Sequence, residues 1–150
     1  DWTYSLVIPS THPLCQGQPI DTYRSIHEAM VDAMGQQGVN AALNLSAQED
    51  ITPGVCFNKP ELYDVVLKNF PTKVSGAAQK RTKLGFLMQG SIWKPTVASL
   101  EWNRFYNDFI FEIAKIAEAE IAYQSWPHWN ASEEDQLVEQ FDSEEWNCRR

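Results

Sequence analysis

Apolar and polar residues alternate along WTYSLVIP, residues 2–9, in a stretch rich in β-forming side chains. That period of two predicts a strand ended by Pro9. Proline and glycine then interrupt the pattern through STHPLCQGQP and predict a loop. Asp21 is a good N-cap, and behind it Tyr23, Ile26, Met30 and Ala33 or Met34 recur at helical spacing until Gly35 or Gly38. His27 sits beside that stripe and is expected as a partly exposed helix residue rather than a ligand.

The middle of the chain changes rhythm. ALNLSAQEDITPGVCF predicts a connection with a short strand in it, and Pro60 a single helical turn over PELYD. DVVLK, KVSGAAQKRT and LGFLMQGSIW then predict strands, with NFPT a turn. Gly76 inside a strand pattern marks a bulge or a close backbone approach. The small neighbours Ser75, Ala77 and Ala78 favour an approach. Trp102, Phe105, Tyr106, Phe109, Ile113 and Ile116 form a helical stripe within residues 100–122. SWPHWN breaks it, and Ser132 followed by Glu133, Glu134 and Asp135 is expected to cap a last helix. Helices and strands are interspersed without βαβ alternation or repeats. The expected class is therefore α+β, a mixed β-sheet packed by helices in a single domain over residues 1–150.

Composition narrows the function classes. The net charge is −8, but residues 57–98 carry seven basic and two acidic residues inside an otherwise acidic chain. Such an island can steer an anionic partner or be a solvated hairpin, and the acidic remainder argues against nucleic acid. No apolar run reaches membrane-spanning length. Three cysteines, Cys15, Cys56 and Cys148, fit neither a disulfide framework nor metal-ligand spacing. With no secretory leader in sight, the expectation is a cytoplasmic protein without a metal.

The block VCFNKPELYDVVLKNFPTKVSGAAQKRTKLGFLMQGSI, residues 55–92, resembles the lipoate–protein ligase and octanoyltransferase family, the lipoyl branch of the biotin/lipoate ligase fold. The resemblance is carried by Cys56-Phe57, Tyr63-Asp64, Lys73 to Arg81, and Gln89-Gly90-Ser91-Ile92. WTYSLVIP is similar to the family strand that follows its glycine-rich motif, and EQFDSEEWNCRR to the family's C-terminal ending. Two positions depart from the pattern. Gln89 stands where the family has histidine, and the Arg-Arg-x-Thr-Gly-Gly-Gly-Ala-Val motif is absent. The resemblance thus implies a biotin/lipoate ligase-like fold with its N-terminal, Gly-rich part missing, as in a fragment or one half of a split protein.

The resemblance also implies chemistry. In the transferase branch, Cys56 is the nucleophile that takes an octanoyl or lipoyl group from acyl carrier protein as a thioester. The group then passes to a lysine of a lipoyl domain or a glycine-cleavage H-type protein. Lys73 would meet the reacting carboxyl group, and substrate would lie along Ser75, Gly76, Ala77, Ala78, Gln89, Gly90 and Ser91. No cofactor is held covalently; lipoate or octanoate is substrate, and ATP enters only in the ligase branch. There Lys73 holds carboxylate and phosphate, and Cys56 is a bystander. A non-catalytic, degenerate homologue is the third class. Read as a strand-edge lysine, Lys73 contributes little to stability. Read as half a fold, the chain is expected to associate with an N-terminal companion segment or with itself through an unpaired first strand.

Overall fold

The computed structural model describes residues 1–46, 59–70, 72–125, 128 and 130–148. Five strands make one sheet: β1 (Trp2–Pro9), β2 (Ala41–Leu43), β3 (Val65–Leu67), β4 (Lys73–Thr82) and β5 (Gly85–Ile92). Their order is β1-β5-β4-β3-β2, and every described pair is antiparallel. The first strand is therefore not orphaned. It pairs with β5 from Trp2 opposite Ile92 to Pro9 opposite Gly85, and only its other edge lacks a strand among the described residues.

Two helices cover one face. A four-residue α1 (Pro13–Gln16) lies within the predicted loop, and α2 (Pro19–Gly35) follows. The second helix starts before the predicted cap, because Pro19 at its first turn presets the helical φ and Asp21 falls inside that turn. Its inner face, Ile26, Ala29, Met30, Ala33 and Met34, packs with Ile8, Phe86, Met88 and Ile92 from the sheet. The third helix, α3 (Trp102–Ile116), is capped by the Glu101 carboxylate, which accepts from the amides of Asn103 and Arg104. It stops short of the predicted end where Glu118 takes φ +48°. Phe105 and Phe109 join the core, and Trp2 meets Phe105 edge-on at 5.3 Å.

Alternation on β1 and β5 sends Tyr4, Leu6, Ile8, Phe86 and Met88 toward these helices. Thr3, Ser5, Val7, Leu87, Gln89 and Ser91 fall on the opposite face, and no described helix covers it. At the C-terminus, α4 (Ala131–Asp142) and α5 (Glu144–Asn147) contain no buried residue. Asn130, not Ser132, is the cap of α4.

Candidate functional site

The uncovered face carries a groove of about 620 Å³ lined by Thr3, Tyr4, Ser5, Lys73, Gly76, Ala77, Ala78, Gln89, Gly90 and Ser91. Three strands supply it, and its floor carries few side-chain atoms because five of its seven β4 and β5 positions are Gly, Ala or Ser. Glycine is required at two of them. A Cβ on Gly90 would collide with the Tyr4 ring behind the sheet. A Cβ on Gly76 would lie 2.7 Å from Lys73 Cε and 2.8 Å from its Nζ. The close approach expected at Gly76 is thus made by the chain's own lysine.

A break in register brings that lysine there. Val65 pairs with Ser75 but Val66 with Lys73, and both Val74 and Ser75 are buried. Strict alternation would put Lys73 with Ser75 and Ala77 on the helix side. The bulge reverses its side and lays the side chain across Gly76.

Lys73 Nζ lies 2.8 Å from Asp64 Oδ2, with 10% and 1% of the two side chains exposed. It also donates to the carbonyl of Lys59 at 3.4 Å. Two of the ammonium's three donors are thereby engaged. Asp64 Oδ2 further accepts from the Glu61 amide at 2.7 Å, and Oδ1 from the Tyr23 hydroxyl at 2.5 Å. This bond and a left-handed Tyr63, φ +66°, replace the helical turn predicted over 60–64. Tyr63's carbonyl receives His27 Nδ1 at 2.7 Å, and the Tyr4 hydroxyl lies 3.4 Å from His27 Nε2.

His27 is therefore buried, not partly exposed. A carbonyl only accepts, so Nδ1 carries the proton and Nε2 accepts from Tyr4. Burial pulls the imidazole down to about 4, so it is neutral near pH 7. Burial, reinforced by Asp64, raises both the Tyr4 and Tyr23 phenols well above their usual range, and they remain donors. Asp64, Tyr23 and His27 were not among the sequence candidates. The signal available was the Tyr63-Asp64 pair three residues past Pro60, which carries the network's carboxylate.

Of the sequence candidates, Lys73, Gly76, Ala77, Ala78, Gln89, Gly90 and Ser91 come together in the groove. Ser75 does not. It is fully buried, and its hydroxyl donates to the Ser91 carbonyl at 2.9 Å, tying β4 to β5 behind the groove. Gln89 is exposed and reaches Ser5 Oγ at 3.3 Å. Cys56 lies outside the described residues; Cys15 is half-buried and Cys148 exposed. The basic island is partly spent internally. Arg81 donates to the carbonyls of Cys15 and Gly17 and to the Thr22 hydroxyl, while Lys80 and Lys83 remain exposed.

The profile of the biotin/lipoate A/B protein ligase family matches residues 1–94. The chain belongs to this family. Octanoyltransferase LipM of Bacillus cereus is 27% identical over 123 residues, covering 77% of this chain and 42% of the relative. The Bacillus subtilis LipM is 26% identical over the same length and coverage. The chain thus spans about two fifths of the length of these curated relatives. Among solved structures, lipoate-protein ligase A bound with ATP superposes with TM-score 0.70 at 15% identity, covering 97% of this chain and 64% of that one. Protein Ta0514 from Thermoplasma acidophilum with bound lipoic acid gives 0.64 at 18%, covering 97% and 63%. At these identities the likeness is one of fold: this family member has the α+β lipoate ligase-like architecture. No helix among its described residues is long and apolar enough to cross a membrane.

Proposed function

We propose that this biotin/lipoate ligase family chain forms the lysine-bearing part of an acyl-transfer site of lipoyl metabolism, within one catalytic domain of which residues 1–150 are a portion. The supporting observation is the groove itself. A strip without side chains ends at one ammonium, which suits a slender acyl chain lying on backbone with its carbonyl at Lys73. The reaction takes two steps. The Cys56 thiolate attacks the carbonyl carbon of an octanoyl or lipoyl thioester on acyl carrier protein, forming a new C–S bond as the donor thiolate leaves. The neutral amine of a lipoyl-domain lysine then attacks that carbon, the C–S bond breaks as the amide forms, and Cys56 leaves with the amine's proton as the thiol. Lys73 meets the charge that develops on the carbonyl oxygen, from a water-poor position where such a donor acts strongly. In sequence, Cys56 is three residues before Lys59, whose carbonyl touches Lys73. The octanoyltransferase relatives support this branch. The ligase branch, with ATP activating lipoate at Lys73, is supported by fold likeness to an ATP-bound ligase.

Incubation with octanoyl–acyl carrier protein, with the remainder of the domain supplied, decides between them. Transfer through Cys56 adds one octanoyl mass to the chain, lost in Cys56→Ser. Labelling that survives Cys56→Ser, or that maps to Cys15 or Cys148, overturns the transferase reading. Lipoate-dependent ATP–pyrophosphate exchange would replace it with the ligase one.

A further inference from the structure

We propose that Tyr23 is a positioning residue of this site, its single hydroxyl setting both the carboxylate that holds Lys73 and the backbone of the groove floor. The catalytic meaning of that role rests on the acyl-transfer reading; the geometry does not.

Ala77 N–H donates to the Tyr23 hydroxyl oxygen at 3.1 Å. An amide can only donate, so the hydroxyl proton points to Asp64 Oδ1, 2.5 Å away. The two bonds meet where the β3–β4 ladder ends. Ser75 is the last β4 residue paired with β3. Carried on, that register would set Tyr63 opposite Ala77, but Tyr63 takes φ +66° and its carbonyl is taken by His27 Nδ1. Among the described residues no strand takes the Ala77 N–H on that side, and Tyr23 reaches down from α2 to fill the place. The same hydroxyl donates its hydrogen bond to a carboxylate that is 1% exposed and bears Lys73 on its other oxygen.

Gly76 lies between the two contacts. Its missing Cβ is the space that Lys73 Cε and Nζ occupy, and Asp64 Oδ1 is 3.0 Å from that point. A shift of Asp64 would move the ammonium over the strip; a shift of Ala77 would move the strip under the ammonium. One hydroxyl fixes their relative position. Its ring is held separately, edge-on to His27 at 4.2 Å between centroids. The phenol remains protonated because burial and Asp64 raise it well above its usual range.

Tyr23→Phe keeps the ring and deletes the hydroxyl. Two signals of isotope-labelled protein read the result without substrate: the Lys73 Nζ ammonium resonance and hydrogen exchange at the Ala77 amide. In the wild type the ammonium signal is sharp and Ala77 is protected although no described strand pairs with it on that side. In Tyr23→Phe the ammonium signal broadens and Ala77 exchanges at least about tenfold faster, the effect of losing one hydrogen bond to a buried or charged group. Core amides of Met30 and Phe105 do not change. Should Tyr23→Phe fail to fold, Lys73→Met with Asp64→Asn serves: both members of the buried pair are removed together, and Ala77, still bonded to Tyr23, stays protected, whereas loss of that protection overturns the proposal. An unprotected Ala77 in the wild type, or a folded Tyr23→Phe with both signals unchanged, overturns the proposal. Where transfer is measurable, Tyr23→Phe lowers it about tenfold, the cost of one displaced donor. The two resonances use no acyl donor, so they stand or fall separately from the transfer assay.

Discussion

Removing either member of the Lys73–Asp64 pair strands a buried charge, since only 10% and 1% of the two side chains are exposed. This reverses the expectation that a strand-edge lysine can be deleted without effect on the fold. Lys73→Met should destabilise by about 3 kcal/mol, the usual cost of breaking a buried pair from one side. Adding Asp64→Asn should restore most of that stability without restoring transfer. Urea denaturation of the two variants checks the first point and the octanoyl assay the second; an undestabilised Lys73→Met would mean that the pair is open to water in solution. His27 makes a second residue-scale prediction. The unfolded imidazole binds its proton below about pH 6.5, the folded one only near 4. The unfolded chain is thus preferentially protonated between those values, and stability falls as pH drops through that window, by about 3 kcal/mol in all. In His27→Gln the wild-type excess of slope between pH 6.5 and 4 should vanish. Parallel curves for the two proteins would contradict the burial of a neutral imidazole.

At the scale of elements, the groove depends on β1, β4 and β5 lying close with no side chain between them. Gly90→Ala would drive a methyl into the Tyr4 ring and loosen β1 from β5, costing about 2 kcal/mol by overpacking. Tyr4→Ala in the same chain should relieve most of that increment, which a double-mutant cycle in thermal unfolding would show. The C-terminal helices behave differently. Neither α4 nor α5 buries a residue, so truncation after Tyr123 should remove helical signal from circular dichroism while moving the Tm by less than about 2 °C. A larger fall would mean that Leu137, Val138, Phe141 and Trp146 are seated against the sheet or the core in solution.

For the whole molecule, the sheet face that no described helix covers and the β1 edge that no described strand pairs are unfinished features. Val7 is 71% and Leu84 86% exposed, and an open strand edge invites further pairing. The chain also spans about two fifths of its curated relatives and 64% of the ATP-bound ligase it superposes on. On its own it should therefore sediment as an associated species, or bind the remainder of the family domain when that is added. It should show no lipoate-dependent ATP–pyrophosphate exchange by itself. A compact monomer that adenylates lipoate would establish that the strip and Lys73 need nothing beyond this chain.

The local elements were legible in the residues because their causes are local. Alternation in WTYSLVIP, the apolar stripe from Trp102 to Ile116, and the Pro and Gly breaks all act over a few positions, and the strands and long helices follow them. The Lys73–Gly76 strip was legible as well, through its small residues and its likeness to the family block. What alternation could not show was the side on which Lys73 lies, because the bulge opposite Val65 and Val66 reverses its direction and depends on the pairing of two strands. Nor could it show that Ser75 turns inward to bond Ser91. The buried network eluded it for the same reason. Tyr4, Tyr23, His27, Asp64 and Lys73 come from four separate stretches of chain and acquire their meaning only when the sheet and α2 close around them. A histidine on a helix can face water or the core at equal sequence spacing. The Tyr63 carbonyl and the Tyr4 hydroxyl, brought within reach by tertiary packing, supply the hydrogen bonds that let it be buried.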